Sequence, residues 1–272
     1  MRIAVRHETK YTYLTPPKSI IQILRLTPRS HEGQHVIRWR IDCDADCRLK
    51  AGEDTFGNVT HAFTVTQPVS SLTLIVEGDV ETFDTAGVVA HAVERWPPMF
   101  YLRDTPLTCA DNNIRELGLE ARGKNTLDRL HKLMEFIHGR MIFDTDPTHT
   151  GTTAGQALTL GRGVCQDYVH IFVSAARSAG IPARYIGGHF LRGDGVIKQD
   201  AGHAWAEAFV DELGWVGFDP TNGICPAECH VRIACGLDYL DAAPVRGART
   251  AGGAETLTVD VAVSQACAQR QN

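Results

Sequence analysis

The spacing of apolar residues changes twice along the chain, and this limits the fold more than any other feature. Early on, apolar and polar side chains alternate: Ile37, Trp39 and Ile41 with Arg38 and Arg40, Phe63 and Val65 with Thr64 and Thr66. Leu72, Leu74 and Val76 repeat the pattern. Period two marks half-buried strands, and Gly57-Asn58 is a turn signal between two of them. Trp96-Pro97-Pro98 breaks the pattern, and beyond Thr105 the spacing becomes helical. Leu127, Leu130, Leu133, Met134 and Ile137 form one stripe, with Asn125 or Thr126 as its N-cap. The polar stretch 144–155 reads as loop. Val169, Phe172, Val173 and Ala176 then mark one buried stripe of a second helix, which Gly180-Ile181-Pro182 ends.

Period two returns afterwards. A strand is expected over 183–190, then a turn at Arg192-Gly193-Asp194-Gly195. A hairpin follows, with strands 203–210 and 215–219 joined around Asp211-Glu212-Leu213-Gly214. Leu257, Val259, Val261 and Val263 share one face of a last strand, and the residues after it read as a frayed polar end. The expected fold class is therefore α+β, in two parts. Residues 1–85 form an antiparallel β sandwich or partial barrel; residues 86–272 form a helix-then-sheet core closed by a C-terminal strand.

Composition narrows the function classes. A net charge of -5, without any basic run interleaved with aromatics, gives no footprint for nucleic acid or an anionic membrane. Met1 to Glu8 carries charges where a signal peptide needs an apolar core, and no stretch reaches the roughly 18 apolar residues of a span. A cytoplasmic location is expected, with the eight cysteines as reduced thiols.

The chemistry concentrates in Gly161-Arg162-Gly163-Val164-Cys165-Gln166-Asp167-Tyr168. Two glycines bracket a tight approach, and Cys165 falls at the first turn of the second helix. Unpaired N–H groups and the helix dipole favour a thiolate there. The hairpin carries His203 on its first strand, in Gly-His-Ala-Trp-Ala-Glu, and Asp219 at the end of its second, in Phe-Asp-Pro. If Val210 pairs with Gly214, Asp219 lies diagonal to His203 on the same face; a one-residue slip would separate them. A thiol nucleophile needs an imidazole beside it, and the imidazole needs a third group to fix its tautomer.

These three segments, with Thr221-Asn222 extending the last, resemble the transglutaminase-like superfamily of papain-like thiol enzymes. The opening Arg2 to Tyr13, the Asp54 to Asn58 turn, His230 to Ala234 and Asp238-Tyr239 resemble its bacterial type with an N-terminal β domain. The resemblance implies a triad of Cys165 as nucleophile, His203 as general base and acid, and Asp219 as orienter. It also implies acyl transfer from an amide through a thioester, with no cofactor and no metal. The expected partner is a peptide or protein substrate, with hydrolysis favoured over transfer to an amine because water reaches any open cleft. A binding module that keeps the fold without the reaction is the alternative from another class. Leu237 stands where the family usually has a basic residue.

Other residues have plainer readings. Cys225, Cys229, His230 and Cys235 could be called a zinc set, but His230 lies too close to Cys229 in sequence, which favours free thiols. Cys43 and Cys47 lie among Asp42, Asp44 and Asp46 in a solvated loop that lacks a calcium motif. Asp167 suits a helix N-terminus, and Gln166 could assist substrate binding. Trp205 and Trp215 are core aromatics or cleft walls, and Glu207 a polar contact or an edge charge. His131, His138, His170 and His189 default to core or surface histidines.

Overall fold

The computed structural model describes residues 1–266. The polar end expected to fray, 267–272, lies outside them. The N-terminal half is built from β1 (Arg2–Tyr13), β2 (Ser19–Thr27), β3 (Gln34–Cys43), β4 (Lys50–Glu53), β5 (Val59–Val65) and β6 (Ser71–Thr82). A short β7 (Val88–Val89) and a 3-10 turn over Pro98–Leu102 lead into the helical half. There the chain forms α1 (Asn112–Glu120), α2 (Thr126–Arg140), β8 (Ile142–Phe143), α3 (Ala154–Leu160), β9 (Arg162–Gly163) and α4 (Cys165–Ser178). The remainder is β10 (Ala183–Phe190), β11 (Lys198–Gln199), β12 (His203–Val210), β13 (Gly214–Phe218), β14 (His230–Gly236), α5 (Tyr239–Ala242), β15 (Val245–Thr250) and β16 (Glu255–Gln265).

Two antiparallel sheets form the first half, in the orders β11-β16-β1-β6-β3 and β15-β2-β5-β4. Period-two alternation turns Leu24, Leu26, Phe63, Leu72, Leu74 and Val76 inward, and they make one apolar cluster. The expected antiparallel β unit is present, followed by helices and a sheet, so the α+β class is the observed one. Alternation reveals a strand but not its neighbour. Thus β16 pairs along its whole length with β1, and β15 with β2, so both ends of the chain build the N-terminal sheets.

A third sheet, β14-β10-β12-β13-β7, packs against α4. The buried stripe expected on α4 is present, but the helix is buried on every side from Gln166 to Arg177. Helices α1, α2 and α3 cover the face that β10 and β12 leave free. Gly180 ends α4 in the left-handed region (φ 80°), and the Ile181 N–H donates back to the Ala176 carbonyl at 3.0 Å. Within the stretch expected to be loop, 144–155, helix α3 begins. Its signal is the capping box at Thr153 and Gln156, which bond each other's backbone N–H groups.

Candidate active site

The loop before Cys165 is closed by two glycines with different tasks. Gly161 takes the left-handed conformation (φ 63°) that ends α3. Gly163 sits in β9, which pairs in parallel with β8, and a Cβ there would lie 2.4 Å from Asp167 Oδ2. The bare Cα lets the Asp167 carboxylate close over the turn. It accepts the Val164 N–H at 2.8 Å and the Thr148 hydroxyl at 2.7 Å. Asp167 therefore secures the start of α4, as a charge at a helix N-terminus should. Cys165 is the first residue of the helix, half-buried, and its N–H is among those with no acceptor inside the helix.

The hairpin register is the one in which Val210 opposes Gly214 and Ala206 opposes Phe218. Asp219 follows directly and is held by a bridge to Ile224, its N–H donating to the Ile224 carbonyl at 2.8 Å. This places Asp219 against His203: the imidazole Nε2 lies 2.7 Å from Asp219 Oδ2. Committing Nε2 to the carboxylate leaves Nδ1 as the ring nitrogen available to Cys165. Burial alone would lower the His203 pKa. The charge and hydrogen bond of Asp219, together with the nearby Cys165 sulfur, outweigh it and push His203 up to about 10.

Asp219 itself is wholly buried and heavily supplied with donors. Its Oδ1 accepts the N–H groups of Thr221 (3.1 Å) and Asn222 (3.2 Å). Its Oδ2 accepts from His203, from the Asn222 amide at 2.7 Å and from a second imidazole, His230 Nε2, at 3.2 Å. Burial would raise this carboxyl, but the imidazolium and these donors hold it well below the usual carboxylate range. The structure thus brings together Cys165, His203 and Asp219, and adds His230 and Asn222.

The sequence marks His230 as a poor zinc ligand. It is buried against Trp205 and Phe190, with ring centroids 5.1 and 4.8 Å away. Cys235 lies elsewhere, opposite Ile186 with its backbone joined to Asn58, so the four residues of the supposed zinc set do not converge. A different trio, His203, Asp219 and His230, offers ligand atoms within 4.8 Å of one another. Here Asp219 Oδ2 lies within hydrogen-bond distance of both imidazole Nε2 atoms and of the Asn222 amide.

Trp205 is buried behind the histidines, and Trp215 lies under the Arg184 guanidinium at 3.9 Å. Glu207, expected as a polar contact or an edge charge, is wholly buried between Arg184 (2.7 Å) and Arg232 (2.8 Å). Its strand is interior because β10 and β13 flank it. His170 accepts the Tyr239 N–H at 3.1 Å, His189 packs edge-on to His7, His131 packs on Phe218, and His138 contacts the Thr221 carbonyl. Gln166 is buried. Cys43 and Cys47, placed in a solvated loop, are half-buried against the sandwich core.

Comparison with known proteins accords with this architecture. Residues 3–81 match the bacterial transglutaminase-like N-terminal region, and residues 115–220 match the transglutaminase-like superfamily. An uncharacterized protein of Mycobacterium leprae is 30% identical over 280 residues, covering 97% of this chain and 99% of its own. The chain belongs to the transglutaminase-like superfamily. An uncharacterized protein of Mycobacterium tuberculosis is 26% identical and covers 90% of the chain and 87% of itself. A Pseudomonas aeruginosa protein-glutamine gamma-glutamyltransferase is 29% identical over 132 residues, 44% of this chain and 20% of that enzyme. Among solved structures, a candidate cysteine protease from Cytophaga hutchinsonii superposes with a TM-score of 0.79 at 20% identity, covering 100% of this chain and 92% of its own. At that identity the likeness speaks for the fold.

Proposed function

We propose that this chain is a thiol enzyme that cleaves peptide or peptide-like amides through a thioester on Cys165, with water as the acyl acceptor. The observation that carries the reading is the orientation of His203, whose Nε2 is committed to a buried carboxylate. Nδ1 then serves the sulfur. The Cys165 thiolate attacks the amide carbonyl, and the Cys165 N–H is a ready donor to the resulting oxyanion. The His203 imidazolium protonates the leaving amine as the C–N bond breaks, leaving an S-acyl enzyme and a neutral imidazole. His203 then takes a proton from water, hydroxide adds to the thioester, and the acid departs as the sulfur regains its charge. Asp219 keeps the ring oriented and supports its cationic form.

A second reading, transfer of the acyl group to a primary amine, is favoured by the stretch similar to the Pseudomonas aeruginosa gamma-glutamyltransferase. One experiment separates the readings: a library of peptide amides is incubated with the protein, with and without a fluorescent primary amine, and products are weighed. Free acid supports hydrolysis, and amine adducts support transfer. Iodoacetamide labelling covers the remaining case. If Cys165 at pH 6 reacts no faster than the exposed Cys109, the chain is a binding module with an idle thiol.

A further inference from the structure

We propose that His230 is a positioning residue, a second imidazole whose N–H steers the Asp219 carboxylate onto His203. The inference rests on the thiol-enzyme reading and names a residue that the Cys–His–Asp trio omits.

The tautomer follows from its surroundings. The Ala227 N–H points at His230 Nδ1 from 3.3 Å, so that nitrogen carries a lone pair and the ring proton sits on Nε2. Nε2 is the atom 3.2 Å from Asp219 Oδ2, so the contact is a donated hydrogen bond. Burial outweighs the Asp219 charge and lowers the His230 pKa, which favours the neutral form of the donor. A neutral donor orients Oδ2 without competing with His203 for the negative charge. The other titratable groups here are Cys229, with its sulfur 3.3 Å from His230 Nδ1, and, around His203, Cys165 and a neutral His189.

The ring is also held from the other half of the chain. The Thr82 hydroxyl donates to the Glu228 carbonyl at 2.5 Å, just before β14. Two residues beyond His230, the Gln34 side chain bonds both backbone groups of Arg232. The N-terminal sheets thus brace the strand that aims His230 at the carboxylate.

The test is the pH dependence of Cys165 labelling by iodoacetamide in the wild type, His230→Phe and His230→Gln. Phenylalanine keeps the packing against Trp205 and Phe190 but donates nothing, whereas the glutamine amide can still donate. We expect His230→Phe to lose about tenfold in rate at pH 6, its midpoint rising by about one unit, and His230→Gln to recover most of that loss. A His230→Phe profile within twofold of a fast-labelling wild type overturns the proposal. A wild type that labels slowly overturns the enzyme reading instead. Should His230→Phe fail to fold, nitrogen-15 NMR of the wild-type histidines decides. A bare Nδ1 and a protonated Nε2 on His230 at neutral pH support the role; the opposite tautomer overturns it.

Discussion

Gln34 and Arg232, 198 positions apart, bond each other in both directions: the Gln34 amide donates to the Arg232 carbonyl at 2.9 Å and accepts the Arg232 N–H at 2.8 Å. Asn58 does the same for Cys235, at 2.7 and 2.8 Å. Strand β14 is the edge of its sheet, and these two amides occupy its outer backbone groups as a neighbouring strand would. Both amide side chains belong to buried residues. Removing one leaves a buried N–H and carbonyl without partners, a loss of about 1–3 kcal/mol. Gln34→Ala should therefore lower the unfolding free energy by that amount, read as a lower urea midpoint with an unchanged slope, and a variant as stable as the wild type would contradict the bracing role of the N-terminal sheets.

The bond between His203 and Asp219 sets the pH range over which the imidazolium survives. His203 is raised to about 10 in the folded chain from an ordinary 6.5. The stability it contributes is fully present below pH 6.5 and is lost as pH rises through about 10. Asp219 is depressed, so its contribution is present above its ordinary 3.8 and is lost as pH falls. Asp219→Asn turns an amide toward donors that expect a carboxylate. The expected outcome is a fall of about 10² to 10⁴-fold in kcat, with the alkaline limb moving from near pH 10 toward the ordinary histidine range. An unchanged pH profile measured on a peptide amide would remove Asp219 from its proposed role.

The extent to which these sites were legible in the sequence follows from the range of the interactions. Cys165 was readable because a glycine turn opening a helix is local, and His203 and Asp219 because one hairpin register relates them. His230 was not. It lies 11 positions from Asp219, and they meet only because β14 crosses to the far side of β10. Beside Cys229 the sequence offers His230 as a member of a zinc set, which that adjacency itself disfavours. For Glu207 the sequence leaves a polar contact or an edge charge open, since alternation cannot distinguish an interior strand from an edge. The return of β15 and β16 to the N-terminal sheets is a matter of partner choice, on which local pattern is silent.

The buried position of Glu207 makes a strong prediction about stability. Its carboxylate lies between Arg184 and Arg232, while Arg184 also donates to Glu94 at 2.7 and 3.0 Å. Burial would raise Glu207, but the two guanidiniums lower it to about 2, so its contribution persists until strongly acid pH. Glu207→Gln keeps the shape and deletes the charge, leaving Arg184 with Glu94 alone and Arg232 without the carboxylate that pairs it. Breaking a buried pair from one side costs about 3–5 kcal/mol, which chemical denaturation at pH 7 should register. Replacing Glu207, Arg184 and Arg232 together by apolar residues should cost less than Glu207→Gln alone, because the one charge that loses its partner, Glu94, is exposed to water.

His7 on β1 and His189 on β10 meet edge to face, 5.5 Å between ring centroids, where the N-terminal sheets adjoin the third sheet. Both are buried, and burial lowers His7 to about 4 and His189 to about 3. Below pH 6.5 the unfolded chain takes up protons at these rings, whereas the folded chain does not until pH reaches about 4 and 3. Stability must then fall with pH, each histidine contributing up to about 1.4 kcal/mol per pH unit within its window. His7→Leu removes one of these slopes whatever it does to stability at pH 7. Unfolding free energies followed from pH 7 to 4.5 should thus decline less steeply in His7→Leu than in the wild type. Parallel lines would mean that the pair is already protonated or exposed, and that water reaches the seam between the two halves.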